Sequence, residues 1–322
     1  MATFQRELPR TFRPLPRSEL LASGVTPEAL TSRLWRQVAH GWHVPAGVPV
    51  TSGQRVVQAA ALLPEGGLSG WAAAYVLGAD ALDGRDPFTG VQQPVRVVLA
   101  PDASHRSVPG IRCVRAELDP SAVVRRHGLL LTEGLRTAQD LAREAPDLVE
   151  AVVALDVLVG AGVVDQRRLK LGLGALERGR GVRQARAAAE LCRVGVLSPW
   201  ETRLRLFVVE AGLPEPEVNL PVFDLDGQFL GVPDLLDLEA GLAIEFDGAG
   251  HREREQHRKD NVREEGFEHG GLVVARADSL DLTQHRDELG HRLRAARLDA
   301  LRNPRPARWT IVPPPWWQGL PA

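Results

Sequence analysis

The sequence predicts a mixed α/β protein with more than one folding region. Three observations predict it. At 322 residues the chain exceeds the roughly 100–200 residues usual for one domain. Hydrophobic residues make up 44% of it, enough for buried cores. Runs rich in β-branched residues, Val95–Ala100 and Ile111–Leu118, and the strand-like run Leu242–Asp247 alternate with stretches of helical periodicity. The formal net charge of −2 is unevenly spread. Residues 1–60 hold seven Arg against three Asp or Glu, a balance of +4. Residues 198–303 hold thirteen Lys or Arg against twenty-two acids, a balance of −9. The basic start suits phosphate contacts. The acidic end suits a metal site better than metal-free DNA binding.

The N-terminal region is taken as 1–54. Residues 1–17 are rich in Pro and Arg and are expected to be extended or mobile. A short helix over Ser18–Ser23 stops at Gly24. Thr26-Pro27 then supplies an N-cap and a proline at the first helical position. The spacing of Leu30, Leu34 and Val38 predicts a helix from Pro27 to about Ala39, with Thr31, Ser32, Arg33 and Arg36 outward. Gly41 to Gly47 reads as a small hairpin. Helix, glycine turn, helix and hairpin make the order of a winged helix-turn-helix, whose second helix would enter the DNA major groove. The segment resembles the N-terminal domain of the AbiEi-family antitoxins, which implies DNA binding through those four residues. The same pattern also fits a small helical cap packed on the next domain.

Residues 55–197 read as an α+β region with a helical linker. Residues 55–77 look helical, 80–94 form a loop, and strand character resumes at Leu129–Thr132. Helices return at Arg136–Glu144 and Leu148–Gly160. Asp140 and Asp156 are expected to be solvated or capping residues, and His105 and His127 ordinary surface histidines. Gly172-Leu-Gly174 and Gly179-Arg-Gly181 break the Arg- and Ala-rich stretch 165–195. Its Arg178, Arg180, Arg183 and Arg186 form either an exposed helical face or a track for a phosphate backbone.

The third region, 198–303, opens at Ser198-Pro199-Trp200-Glu201. Ser at the N-cap, Pro at N1 and Glu at N3 predict a capping box and a helix to about Ala211. Leu220–Leu225 and Gln228–Leu236 form a hairpin around Asp226-Gly227. Strand 242–247 follows, then a helix from Glu253 to His269, a strand at Leu272–Ala275 and a helix over Thr283–Leu301. Along the strand, Ile244 and Phe246 face one side while Glu245 and Asp247 face the other. Asp234 lies on the preceding strand, so three carboxylates can meet at a sheet edge. Hard divalent cations choose such oxygen ligands.

These residues resemble the PD-(D/E)xK nuclease superfamily, near its very short patch repair (Vsr) endonucleases. The likeness lies in Pro233-Asp234, Glu245-Phe-Asp247-Gly248, His251 and Asp260-x-x-Arg263, and covers roughly residues 198–300. It implies a restriction-endonuclease-like α-β-β-β-α-β core and a metal-dependent DNA endonuclease, acting in DNA repair or defence. It implies Mg²⁺ or Mn²⁺ held by Asp234, Glu245 and the carbonyl of Phe246. Asp247 would add a ligand or take a proton, His251 would act as acid, base or phosphate ligand, and Glu201 would reach the metal or its water. Asp260 and Arg263 would steady the site as a helix-face pair. One departure stands out: the superfamily lysine would sit two residues after Glu245, where this chain has Asp247. That departure supports an alternative, an antitoxin-like DNA-binding regulator with an inactive nuclease-fold domain.

Two cysteines, Cys113 and Cys192, provide neither a disulfide framework nor metal-ligand spacing. The N-terminus lacks the apolar core of a signal peptide, and no apolar run is long enough to span a membrane. A cytoplasmic protein with DNA as partner is expected. A homodimer is compatible with the sequence. The tail 304–322, with Pro313-Pro-Pro-Trp316-Trp317, is expected to pack back on the protein, with docking of a protein partner as the alternative.

Overall fold

Caps written in the sequence start several of the helices. The side chains of Thr26, Thr51, Asp147, Asp165 and Ser198 each accept a backbone N–H three residues on, which satisfies a donor the helix itself cannot. The computed structural model describes residues 2–105, 107–248 and 265–319. They fall into two units, Met1–Val194 and Gly195–Ala322. Among the described residues no helix is long and apolar enough to cross a membrane.

The first unit runs α1 (Thr3–Glu7), β1 (Leu15–Pro16), α2 (Arg17–Ala22), α3 (Pro27–Thr31), β2 (Trp35–Ala39), β3 (Trp42–Pro45), α4 (Ser52–Leu62), β4 (Gly67–Ser69), α5 (Trp71–Leu77), β5 (Val95–Leu99), β6 (Ile111–Arg115), β7 (Val123–Arg126), β8 (Leu129–Thr132), α6 (Gly134–Glu144), α7 (Leu148–Gly160), α8 (Gln166–Gly174) and α9 (Val182–Leu191). A small sheet has the order β1-β3-β2, and a five-stranded mixed sheet the order β6-β5-β4-β8-β7. Phe4, Val56, Leu68, Trp71, Tyr75, Val97 and Leu131 form the core around the larger sheet.

Several expectations need correction here. The start of the chain is not simply extended: α1 places Phe4 in the core, fully buried. The predicted helix to Ala39 ends at Thr31. Ser32 takes an extended conformation, and its Oγ accepts the N–H of Leu34 at 3.2 Å. Residues 35–39 instead pair with β3, Trp35 opposite Pro45. Pairing of Trp35, Arg36, Gln37 and Ala39 with β3, around an irregularity at Val38, outweighs the weak helical spacing. Leu34, expected on the buried stripe, is 65% exposed. The stretch 55–77 is broken by β4, a three-residue strand with no sequence signature of its own. Asp140 and Asp156 are buried, not solvated. Asp156 accepts the N–H of Arg193 at 2.8 Å, and Asp140 joins an ion-pair network described below. His127, in the left-handed region at φ 51°, lays its ring 5.7 Å from that of Phe4.

His43, on the central strand of the small sheet, is buried, and its Nδ1 has no hydrogen-bond partner among the described residues. Burial, together with the nearby charge of Arg17, pushes its pKa below the ordinary 6.5. The folded chain therefore keeps it neutral where the unfolded chain takes up a proton. Its contribution to stability is complete above pH 6.5 and is lost as pH falls through the depressed folded value. His43→Gln is expected to flatten the loss of stability between pH 6.5 and about 5. Urea melts at several pH values would show it, and equal slopes for both proteins would refute it.

The second unit runs α10 (Pro199–Glu210), β9 (Glu217–Val218), β10 (Val222–Asp224), β11 (Phe229–Gly231), β12 (Leu235–Asp237), β13 (Leu242–Asp247), α11 (described over 265–270), β14 (Val273–Asp278), α12 (Ser279–Thr283), α13 (Arg286–Arg302) and β15 (Trp309–Thr310). A four-stranded sheet has the order β14-β13-β12-β9, and a three-stranded sheet the order β11-β10-β15. One face of the larger sheet packs on α10, α12 and α13 through Leu204, Phe207, Leu282, Leu289 and Leu293. The other face packs on Val222, Phe267 and Trp309.

The hairpin at Asp226-Gly227 forms, but its second arm is not one strand. It divides at Gly231-Val-Pro233, with Phe229–Gly231 in the small sheet and Leu235–Asp237 in the large one. Pro233 has no N–H for a ladder, and Gly231 sits at φ 153°. The tail packs back as expected: Trp309 pairs with Asp224, and Trp317 lies 4.9 Å from Phe229 and 5.0 Å from Phe223 between ring centroids.

Candidate functional site

β13 carries the chemistry because its two faces are so different. Leu242, Ile244 and Phe246 face α10 and α13, while Ala243 faces the other core. Alternation puts Glu245 and Asp247 on the face of Ala243. β12 runs antiparallel to β13, with Leu235 opposite Ile244. The same register, continued by one residue, sets Asp234 opposite Glu245. Asp234 and Leu236 share a face, and Leu236 also belongs to the second core. Two carboxylates thus stand side by side on neighbouring strands. Asp234 is held in place, because its Oδ2 accepts the backbone N–H of Phe246 at 2.7 Å. Phe246 is held in turn by stacking on Trp200, 5.2 Å between ring centroids and 7° from parallel.

Asp247 lies two residues further along β13, roughly 6.7 Å on at strand rise. Among the described residues no three His, Cys, Asp or Glu side chains gather as a metal-binding group. The expected trio of acids is, in the described structure, a pair with a third carboxylate on the same face one repeat away. The chemistry of that pair still fits a hard cation, since Mg²⁺ commonly binds through one or two carboxylates and a substrate phosphate. His251, Asp260 and Arg263 lie outside the described residues.

Glu201 has a different job from the one the resemblance implies. It is buried, and its Oε2 accepts the N–H of Leu197 at 2.9 Å and the Nδ2 of Asn219 at 2.6 Å. Its own N–H donates to Ser198 Oγ at 3.2 Å. Ser198 caps α10 as expected, but the capping box is only half formed, because the Glu201 carboxylate takes the N–H of Leu197, one residue before the N-cap. It sits on α10, against the face opposite Glu245. Among the described residues Glu201 is linked to Asp234 through Asn219, whose N–H donates to the carbonyl of Asp234 at 3.1 Å. Asn219 adopts φ 48°, a left-handed conformation that asparagine tolerates better than most residues. Sequence reasoning passed over Asn219; its one available signal is an Asn two residues before a proline, a common turn composition.

The second residue missed is Arg276. β14 runs parallel to β13 with Glu245 opposite Arg276 and Asp247 opposite Asp278. Partners in register share a face, so Asp234, Glu245 and Arg276 form one row across three strands. Arg276 is exposed, and its carbonyl accepts Nη2 of Arg292 at 2.7 Å. No local pattern marks this arginine; only the strand pairing brings it to the acids.

In the first unit the four residues expected to contact DNA do not share a helix. Thr31 ends α3, Ser32 and Arg33 lie in the turn, and Arg36 is on β2. α3 itself is a single turn of five residues, so it offers no long face to a groove. Comparison of the chain with protein-family models, curated proteins and solved structures finds no match.

Proposed function

We propose that the second unit is a Mg²⁺- or Mn²⁺-dependent endonuclease acting on DNA phosphodiester bonds. The single observation behind this reading is the row Asp234, Glu245 and Arg276 on one face of three adjacent strands. Asp234 and Glu245 are the residues that would hold the metal. When bound, the metal polarises the phosphoryl oxygen and lowers the pKa of its water. Asp234 brings one oxygen fixed by the Phe246 N–H, which orients the other. Glu245, one strand over, supplies the second carboxylate. Asp247, further along the same face, would take a proton from water. Arg276, in register with Glu245, would supply the positive charge that the missing lysine would otherwise bring to a phosphate oxygen of the scissile group.

The test is nicking of supercoiled plasmid and cleavage of single-stranded DNA with Mg²⁺, with Mn²⁺ and with chelator. Wild type is expected to cut with metal and to stop with chelator. Loss of cleavage in Asp234→Ala and Glu245→Ala supports the reading. Absence of cleavage by wild type with either metal would leave the regulator reading. For Arg276, the expected result is a fall of about 10²-fold in cleavage rate on replacement by alanine, largely restored by lysine. Single-turnover rates would measure it, and an unchanged rate in Arg276→Ala would remove this residue from the mechanism.

A further inference from the structure

The first unit contains a cavity of about 600 Å³ that plays no part in the proposed nuclease chemistry. Its lining includes five arginines, Arg96, Arg112, Arg136, Arg143 and Arg180, and two acids, Asp140 and Glu144. The excess is three positive charges. The inner arginines are already organised. Arg96, only 7% exposed, donates from Nη1 to Asp140 at 2.7 Å and to Ser69 Oγ at 2.6 Å. Its Nη2 pairs with Glu144 at 3.1 Å, and its Nε has no hydrogen-bond partner among the described residues. Arg136 pairs with the other oxygen of Asp140 at 3.1 Å, and Arg112 pairs with Glu144. Three guanidinium groups thus share two carboxylates, which leaves one positive charge of the inner set uncompensated.

Neither Arg143 nor Arg180 has a carboxylate partner among the described residues. Arg143 Nε donates instead to the carbonyl of Arg180 at 3.0 Å, which ties the two chain segments together at the cavity wall. On the same wall α9 begins at Gly181, with φ 75° and no side-chain cap. A Cβ at Gly181 would meet the Arg143 carbonyl oxygen at 2.1 Å, so the close approach of the two segments requires glycine. Three features then converge: a confined cavity with excess positive charge, which focuses potential; planar guanidiniums suited to bidentate phosphate contacts; and an uncapped helix start of matching polarity. The volume falls within the roughly 300–1,000 Å³ of small-molecule sites.

We infer that this cavity binds a small phosphate-bearing ligand of about mononucleotide size, its phosphates held by Arg143, Arg180 and the start of α9. The inner arginines provide the field and the outer pair the contacts. The proposal stands apart from the nuclease reading and survives its failure.

Calorimetric titration of the full chain with ATP, with inorganic pyrophosphate and with a single-stranded oligonucleotide tests it. Arg180→Gln, in an exposed residue with no ion pair among the described residues, is the variant expected to leave folding intact. Arg143→Gln/Arg180→Gln removes both contacts. Arg178→Gln, outside the cavity lining, matches the charge change of the single variant. Saturable binding of ATP or pyrophosphate to wild type is expected, weakened at least about tenfold in the double variant and unchanged in Arg178→Gln. Three results would overturn the proposal. They are no saturable binding of either small probe, equal affinity in the double variant, and oligonucleotide binding that alone depends on Arg143 and Arg180.

Discussion

Asp234→Ala is expected to abolish metal-dependent cleavage, and Glu245→Ala to do the same. A metal that stabilises developing charge contributes several kcal/mol to the transition state. At 1.36 kcal/mol per tenfold, loss of its ligands lowers the rate by about three orders of magnitude or more. Asp234 also has a structural bond, because its Oδ2 accepts the Phe246 N–H. Alanine there leaves that donor without its partner, at a cost of about 1–3 kcal/mol. Asp234→Asn separates the two roles. Asparagine keeps an oxygen for the Phe246 N–H and loses the charge. It is expected to melt near wild type while cleaving no better than Asp234→Ala. Single-turnover cleavage beside a thermal melt would show both. Cleavage by Asp234→Asn at the wild-type rate would mean that the carboxylate only props up β13.

Asp140→Ala is expected to destabilise the first unit strongly. The Asp140 carboxylate accepts from Ser69 Oγ at 2.5 Å and pairs with Arg96 and Arg136. The side chains of Asp140 and Arg96 are 5% and 9% exposed. Removing the acid leaves a buried guanidinium with its charge poorly compensated, which costs about 3–5 kcal/mol. For a unit of this size that is a fall in melting temperature of roughly 6–20 °C. Arg136→Ala removes a more exposed partner, 22% accessible, and is expected to cost about 1 kcal/mol or less. Chemical denaturation of both variants measures the difference. A loss below about 1 kcal/mol in Asp140→Ala would show that water already compensates the pair.

The helices α6, α7 and α10 are legible because they announce themselves locally. Leu148–Gly160 has Asp147 as cap and a long apolar run, and the glycine pairs at 172–174 and 179–181 mark the ends and starts of α8 and α9. In the N-terminal region Leu30, Leu34 and Val38 fit a helical spacing as well as they fit two short elements. There the decision fell to pairing with Trp42–Pro45, which no window around residue 34 contains. β4 was invisible for a related reason: Gly67-Leu-Ser69 becomes a strand only because β5 and β8 lie on either side of it.

The sequence by itself determined that this is a mixed α/β chain, that Ser198-Pro199 starts a helix, that Asp226-Gly227 turns a hairpin, and that Glu245 and Asp247 share one side of a strand. All of these follow from short-range rules of capping, turn geometry and side-chain alternation. Only the tertiary structure decided that Asp234 and Glu245 stand opposite one another with Arg276 beside them, that Glu201 serves Asn219, and that Arg96, Arg143 and Arg180 surround one cavity. Strand register and the packing of helix ends are long-range choices. They depend on which apolar faces are buried together, and charged residues are carried into contact by those faces without leaving a local trace.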